Sequence, residues 1–407
     1  MSSRRSVRVR IFYQTDPAGT VAGGIDTFIR GILRWVPPDI EMSVVGVTFD
    51  PLARPPGKWT ECSIGRRSFR FFPVHAVADA SRQSRIPLSL SYTLAMVRHF
   101  SQVRGGFDVM DFHRIEPAAL FLADARPRNA FFHQNMQVLH DPKADIRWKH
   151  FPPLYFMLER MIVPRFARVY CVKEDAVTAY RSRYPARAER FQFIPTWMDP
   201  EIYAPASPEE RNVLRSRLQA AFGIPRDVKV IVTVGRHDPQ KDPGLLVRAF
   251  GEVSQRRPDV HLLLIGDGVL REDLEARVAG LRLQGKVTFA GLRPTSQVAD
   301  LLRSADLFAL SSAYEGMPMS LLEAMGCGIP VVSTDVGEVR RVIRPGVNGE
   351  IASARSEAEL ASALSSCLDR LPMYTGRPAL EAVSRYVPEI VLAPVFENYR
   401  KLATGAE

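Results

Sequence analysis

Residues 314–338 read YEGMPMSLLEAMGCGIPVVSTDVGE. The stretch is mostly apolar and punctuated by Gly and Pro, yet it holds two carboxylates, Glu315 and Glu323. Just upstream, DLFALS (Asp306–Ser311) has the composition of a buried strand. Glu315–Gly316 then reads as a turn. Pro318 suits the first turn of a helix carrying Leu321, Leu322, Ala324 and Met325, and PVVST (Pro330–Thr334) reads as the next strand. Eight positions separate the glutamates, which would leave ~80° between them on a single helix. Glu315 is therefore placed in the loop and Glu323 inside the helix. A buried Glu needs a partner. Sugar or ribose hydroxyls donate well to a carboxylate, and so do nearby backbone groups or an arginine.

The same alternation extends through both halves of the chain. VRVRIFY (Val7–Tyr13), MSVVGVTF (Met42–Phe49), FDVMDF (Phe107–Phe112) and RNAFFH (Arg128–His133) have strand character, with helical patterns at Gly24–Leu33 and Leu90–Phe100. In the second half, strands at Val228–Gly235, His261–Gly266, Lys286–Gly291, Asp306–Ser311 and Pro330–Thr334 alternate with helices near Pro243–Arg256, Arg271–Leu281, Gln297–Ser304 and Pro318–Met325. Strands alternating with helices imply an α/β class with parallel sheets and helices on both faces. The pattern restarts after the Pro-rich stretch FIPTWMDPEIYAPASPEE (Phe193–Glu210). Two doubly wound, Rossmann-like domains are expected, over residues 1–195 and 196–385. Residues 386–407 should form a C-terminal helix, seen in IVLAPVFENYRKL (Ile390–Leu402), that is free to cross back to the first domain. Ligands of such sheets sit at the carboxyl ends of the strands, here in a cleft between the domains.

Composition sets the outer limits. With 407 residues, 46% hydrophobic and 24% charged, the chain is ordinary globular protein of two or three domains. Cys62, Cys171, Cys327 and Cys367 lie far apart, without metal-ligand or redox spacing, and read as reduced cytoplasmic thiols. No run approaches the ~18 apolar residues of a membrane span, and the basic start MSSRRSVRVRIFY reads as a first strand rather than a signal peptide. The net charge of +10 is uneven: residues 1–200 hold 29 Lys and Arg against 18 Asp and Glu. A basic first half favours an anionic partner such as a membrane surface, a phosphorylated lipid or nucleic acid; solubility alone is the plain alternative.

Two more stretches bear on chemistry. In TVGRHDPQKDPGLLVRAF (Thr233–Phe250) a strand ends at Gly235, Arg236 and Lys241 occupy the connection, Asp242 suits an N-cap and Pro243 the first helical position. Two cations at a helix N-terminus suit a phosphate, although solvated cations at a plain strand-to-helix turn would read the same. PAGTVAGGIDTF (Pro17–Phe28) follows the first strand and opens a helix. Its glycines allow close backbone approach to an anion, or make a flexible surface loop. The spacing is not that of the dinucleotide fingerprint, which removes a dehydrogenase.

Together GRHDPQKD, SSAYEGMPMSLLEAMGCGIPVVSTDVGE and GVNG (Gly346–Gly349) resemble the retaining, nucleotide-sugar-dependent glycosyltransferases of family four, the glycosyl transferases group 1, whose hallmark is Glu, seven residues, Glu. The resemblance implies a GT-B fold with the acceptor held mainly by the first domain and the donor mainly by the second. It implies that Arg236 and Lys241 grip the donor diphosphate and that Glu323 bonds the ribose. Glu315, with backbone at Gly316, Met317, Pro318 and Met319, would hold the donor sugar. Gly23 and Gly24 would place N–H groups near the diphosphate, Gly235 would close the strand beneath it, and Leu292 and Arg293 would abut the base. His133 matches a family histidine near the sugar C6 hydroxyl, and His113 is the weaker candidate. Gln134 stands where the family usually has Asp, and Thr196–Trp197 replace its usual Asn-Gly.

The activity so implied is transfer of a hexose from a UDP- or GDP-linked sugar to a hydroxyl acceptor, a lipid-linked or cell-envelope glycan, with retention of configuration. Arg236, Lys241, Glu315 and His133 would carry the chemistry. The sequence has no Asp-x-Asp, so neither metal nor cofactor is required. The segment Ile64–Arg85 interleaves arginine with aromatics and suits peripheral contact with the inner face of an anionic membrane, or an outer strand with a solvated loop. The competing readings are a GT-B epimerase and a non-enzymatic nucleotide- or nucleic-acid-binding module. A nucleic-acid partner is disfavoured, since such a binder has no reason to keep Glu315 and Glu323 beside a phosphate site, and no nucleic-acid motif is present.

Overall fold

A computed structural model describes residues 6–19, 24–77, 88–133, 152–225 and 227–405. The chain divides into two compact units, Met1–Pro195 with Pro388–Glu407, and Thr196–Val387.

Unit 1 holds an eight-stranded sheet: β1 (Val7–Phe12), β2 (Ile40–Thr48), β3 (Thr60–Ile64), β4 (Arg67–Ala76), β5 (Val109–Phe112), β6 (Arg128–Phe132), β7 (Arg168–Cys171) and β8 (Phe191–Phe193). Its helices are α1 (Gly24–Trp35), α2 (Leu88–Arg98), the short α3 (Phe100–Val103), α4 (Pro152–Ile162) and α5 (Glu174–Arg183). The strand order is β3-β4-β2-β1-β5-β6-β7-β8, all parallel except the β3–β4 hairpin. The apolar positions of β1 are closed off on both faces: Val9, Ile11 and Phe12 are fully buried. Arg10 on the same strand is interior as well. Its guanidinium lies between the rings of Trp59 and Phe107, 4.6 Å from each, and donates to the carbonyls of Val103 and Gly105. Part of the basic excess of the first half is therefore structural cation rather than surface charge.

The hairpin corrects one expectation. Arg67–Ala76 is an inner strand, and its aromatics Phe69, Phe71 and Phe72 are buried. They serve the core, with Arg70 alternating outward, so these rings are not offered to a membrane. Residues 78–87 of that segment lie outside the described residues. Among the described residues, no helix is long and apolar enough to cross a membrane.

Unit 2 holds a six-stranded parallel sheet of β9 (Lys229–Val234), β10 (Val260–Ile265), β11 (Val287–Gly291), β12 (Leu307–Leu310), β13 (Val331–Ser333) and β14 (Gly349–Ile351). It is flanked by α6 (Pro208–Phe222), α7 (Pro243–Arg256), α8 (Arg271–Gly280), α9 (Thr295–Ser304), α10 (Met319–Gly326), α11 (Glu357–Asp369), α12 (Leu371–Tyr374) and α13 (Arg377–Val383). The order is β11-β10-β9-β12-β13-β14. Successive strands run outward from β9 in one direction and then, from β12, in the other. β9 and β12 therefore flank the topological switch point, where loops diverge and leave a crevice at the strand ends. In unit 1 the equivalent neighbours are β1 and β5.

The Pro-rich stretch is packed rather than loose. Trp197, Met198 and Tyr203 are buried, Met198 N–H donates to Tyr386 carbonyl, and Thr196 Oγ1 donates to Met317 carbonyl at 3.0 Å. The expected final helix is broken in two, α14 (Pro388–Val391) and α15 (Ala393–Thr404), with α15 against β1 and β5. Arg400 pairs with Asp39 at 2.7 Å, and the Tyr399 hydroxyl donates to the fully buried Asp111 of β5.

Burial pushes the Asp111 carboxyl from 3.8 up to about 7, against the Tyr399 hydrogen bond that favours its ionised form. A carboxyl raised on folding contributes stability that is full below about pH 4 and is lost as the pH rises through 7. Asp111→Asn should therefore remove a decline in unfolding free energy between pH 4 and 7, worth ~4 kcal/mol at most. Urea denaturation across that range checks this; parallel wild-type and variant curves would contradict it.

Candidate functional site

The strongest cluster is built by the two loops at the switch point of unit 2. After β9 the chain runs through Arg236 and Lys241 to α7. Asp242 is the N-cap of α7, in a left-handed conformation (φ 41°) that Asp tolerates better than most residues. Its carboxylate accepts from Leu245 N–H at 3.1 Å, with Pro243 next as the first helical residue. After β12 the chain runs through Ser312 and Glu315 to α10, which begins at Met319. Pro318 is thus its N-cap rather than within the first turn. Ser311 Oγ donates to the carbonyls of Lys241 and Asp242 (3.1 and 2.9 Å), and Ala313 N–H donates to Gln240 carbonyl at 2.7 Å. The two loops are stapled together.

Across this staple, Lys241 Nζ donates to Glu315 Oε1 at 2.6 Å, and Ser312 Oγ donates to the same oxygen at 2.7 Å. Glu315 is 9% exposed, so its charge is compensated by a cation and a hydroxyl rather than by water. Arg236 stands differently. Its side chain is 62% exposed and pairs with Asp238 at 2.9 Å, while Asp238 also accepts Lys241 N–H at 2.9 Å. Glu323 lies in α10, where burial raises its carboxyl to about 7 and the Tyr203 hydroxyl hydrogen-bonds it. Met317 and Pro318 are buried, and Gly316 and Met319 half-buried.

Two glycines let backbone reach this region. A side chain at Gly337 (φ 54°) would meet Gly316 carbonyl at 2.0 Å, and Glu338 N–H donates to that same carbonyl at 2.9 Å. A side chain at Gly266 (φ 132°) would meet Gly235 carbonyl at 1.9 Å. Gly235 N–H donates to Ile265 carbonyl and Gly266 N–H to Gly291 carbonyl, both at 3.0 Å. The ends of β9, β10 and β11 thus form one backbone ledge. Leu292 and Arg293 follow the ledge on the outermost strand, apart from the ion pair. Leu292 is 73% exposed, and Arg293 donates to Ala290 carbonyl and lies over the Phe222 ring.

In unit 1 the matching strand ends carry two histidines. His113 follows β5 and His133 follows β6, and His113 Nδ1 and His133 Nε2 share a hydrogen bond of 2.8 Å. The rings are nearly coplanar (11°), with Phe131 stacked on His113 and the edge of Phe28 on His133. Burial lowers both, His133 from 6.5 to about 3 and His113 well below its ordinary value, so both are neutral near pH 7. Gly24 opens α1 with nothing within 4 Å of where a side chain would begin. Gly23 lies outside the described residues.

Sequence reasoning passed over Ser312, Asp238, Tyr203, Gly266 and Gly337. The GDG after the β10 strand (Gly266–Gly268) carried a readable signal, a glycine pair at a strand end. Tyr203 carried none, since its role depends on how the Pro-rich stretch folds back on α10.

The fold defines the class: two Rossmann-like units with crevices at their switch points, the GT-B architecture. In solved structures, sucrose-phosphate synthase from Thermosynechococcus elongatus superposes with a TM-score of 0.80 at 20% identity, over 98% of this chain and 100% of that one. Anabaena Alr3699/HepE in complex with UDP and glucose superposes with 0.72 at 19%, over 96% and 99%. Residues 215–374 match the model of the glycosyl transferases group 1, and this part of unit 2 is a domain of that family. A D-inositol 3-phosphate glycosyltransferase of Mycolicibacterium smegmatis is 29% identical over 240 residues, 58% of this chain. That match spans 53% of the relative, about half its length.

Lys241→Met should destabilise unit 2 by ~1–3 kcal/mol, because it strands a buried carboxylate. Arg236→Ala, on an exposed pair, should cost under ~0.5 kcal/mol. Urea denaturation at pH 7 separates the two, and equal costs would contradict the asymmetry. For the histidines, unfolded rings protonate near 6.5 and the folded ones do not. The pair therefore contributes stability above that pH that is lost as the pH falls toward 3. Ring nitrogen-15 NMR should find both neutral at pH 6; an imidazolium signal from either would contradict their burial.

Proposed function

We propose that the chain is a retaining glycosyltransferase moving a hexose from a UDP- or GDP-linked sugar to a hydroxyl acceptor, without metal or resident cofactor. The observation that carries this reading is the Lys241–Glu315 pair at the switch point of the group 1 domain. Without ligand, each charge is satisfied by the other. A diphosphate would draw Lys241 Nζ to itself and leave the Glu315 carboxylate free to accept from sugar hydroxyls. One contact would so become two, one to the leaving group and one to the group transferred.

Departure of a nucleoside diphosphate builds negative charge on its β-phosphate, and preorganised cations there lower the barrier. Lys241 and the exposed Arg236 are the candidates, with the N-terminus of α7 behind them. Glu323, held by Tyr203, suits a ribose; its raised carboxyl ionises more readily once hydroxyl donors replace apolar surroundings. Gly23 and Gly24 are proposed beside the diphosphate, Gly235 beneath it, Leu292 and Arg293 near the base, and the neutral His133 near the donor sugar. Retention follows if the leaving phosphate helps deprotonate the acceptor on the same face. The acceptor is proposed to be a lipid-linked or cell-envelope glycan at the cytoplasmic face of a membrane, held mainly by unit 1. The UDP of the Anabaena complex makes UDP-sugars the first donors to test.

A thermal-shift screen of UDP, GDP and their sugars tests this. A ligand at 100 times its Kd stabilises by about 2.7 kcal/mol, so one family should raise the melting temperature and the other should not. In donor hydrolysis without acceptor, Arg236→Ala and Lys241→Ala should each lose ~2–4 kcal/mol of transition-state stabilisation. No shift with any nucleotide, or normal turnover in both variants, would overturn the reading.

A further inference from the structure

We infer that Tyr203 is a positioning residue for nucleotide recognition, its hydroxyl holding the Glu323 carboxylate in an orientation that accepts from both hydroxyls of a ribose. The inference rests on the proposed reading of Glu323 as the ribose carboxylate, and adds to it a residue from outside the Glu315–Glu323 stretch.

Glu323 is the one opening in a closed segment. From Leu321 to Thr334 every residue except Glu323 is buried, and Glu323 is half-buried. On α10 it lies one turn beyond Met319 and Ser320, the other two partly open residues of that helix. A carboxylate so placed has protein on one side and room for a ligand on the other. A glutamate side chain is rich in rotamers, and ordering it at the moment of binding costs affinity.

The protein side orders it in advance. The Tyr203 hydroxyl donates to the Glu323 carboxylate, and Tyr203 is itself fixed. Its ring is buried, its N–H donates to Asp199 carbonyl at 2.8 Å, and its carbonyl oxygen lies 2.9 Å from where a side chain at Gly326 would begin. The Met198 sulfur stands 3.0 Å from the same point, and Thr196 Oγ1 bonds Met317 carbonyl at 3.0 Å. The segment Thr196–Tyr203 is thus strapped along α10, from the residue before its N-cap to its last residue, Gly326, which has no side chain to keep the strap away. From there the Tyr203 hydroxyl reaches Glu323, one turn back along the helix.

A carboxylate has about four acceptor sites. Tyr203 occupies one and leaves those on the open side to two ligand hydroxyls. A phenylalanine would fill the same space and leave the carboxylate free to turn. The other charged or titratable neighbours do not orient it. Lys241 acts on Glu323 through its charge and gives its hydrogen bond to Glu315, Cys327 is a thiol kept neutral by burial at the end of α10, and Asp199 acts on Tyr203.

Calorimetry on the full chain tests this with UDP and 2′,3′-dideoxyuridine diphosphate, or with their guanine counterparts if those raise the melting temperature in the screen. The ratio of the two affinities isolates the ribose hydroxyls, because the phosphates titrate alike in both ligands. At neutral pH Tyr203→Phe should lower that ratio about tenfold, with binding of the dideoxy compound unchanged. The ratio should also fall as the pH falls, since the ionised carboxylate is the form that accepts from both hydroxyls. Burial raises the Glu323 carboxyl to about 7 against the Tyr203 bond, so without that bond the fall should begin at a higher pH. Gly326→Ala, which pushes on the Tyr203 carbonyl and keeps its hydroxyl, should lower the ratio in the same direction. Tyr386→Phe, which removes another buried tyrosine hydroxyl of unit 2, should leave ratio and profile as they are. A wild-type ratio in Tyr203→Phe, or an equal loss in Tyr386→Phe, would overturn the inference and leave the donor reading standing. So would equal binding of UDP and its dideoxy analogue by the wild type. A wild type that binds no nucleotide would overturn both.

Discussion

The organisation of unit 2 turns on one contact, the 2.6 Å bond from Lys241 to Glu315. A doubly wound sheet leaves a crevice where its strand order reverses, and a crevice lined by apolar strand ends is a poor place for a carboxylate. Glu315 is tolerable there because a cation and the Ser312 hydroxyl reach it. Those two can reach it because Ser311 and Gln240 tie the β9 and β12 loops together. The left-handed Asp242 turns the chain into α7 immediately after the lysine, and Gly337 admits a third loop against Gly316. Each of these features would be a local oddity alone. Around the ion pair they are the conditions for holding two opposite charges at one buried point.

Unit 1 treats the same topological position in the opposite way. Its switch point lies between β1 and β5, and the groups there are two imidazoles that burial keeps uncharged. One ring nitrogen of each is used in their mutual bond. The bond fixes the orientation of each ring through its neighbour. A charged crevice attracts an anion at a distance, whereas a neutral one selects by shape and by directed hydrogen bonds.

Much of this was legible in the sequence. The alternation of short β-rich runs with helical periodicity specifies parallel α/β units, and the strands around Val9, Ile231 and Leu263 were read within a few residues of their ends. Lys241, Glu315 and Glu323 were singled out by type and spacing. What could not be read was partnership. Nothing in the sequence says that Lys241 meets Glu315, since the bond joins loops 74 positions apart through the register of two strands. The β3–β4 hairpin was missed for a different reason. Arginines interleaved with aromatics over Ile64–Arg85 suit both membrane contact and an outer strand with a solvated loop, and composition alone does not show that Arg67–Ala76 is an inner strand paired with β3.

The return of α14 and α15 to the first unit has a consequence for how the molecule comes into being. Unit 2 is one uninterrupted segment, 196–387, whereas unit 1 is assembled from residues at both ends of the chain. The Tyr399 hydroxyl that caps Asp111, and the helix that covers β1 and β5, leave the ribosome only after all of unit 2. A domain usually folds as it emerges, N-terminal first. Here the order of completion is inverted: the later unit can close while the earlier one still lacks part of its cover. Until α15 has emerged, the central strands of unit 1 stay open on the side that it will occupy, and a chain cut before α14 would carry a finished second unit and an unfinished first.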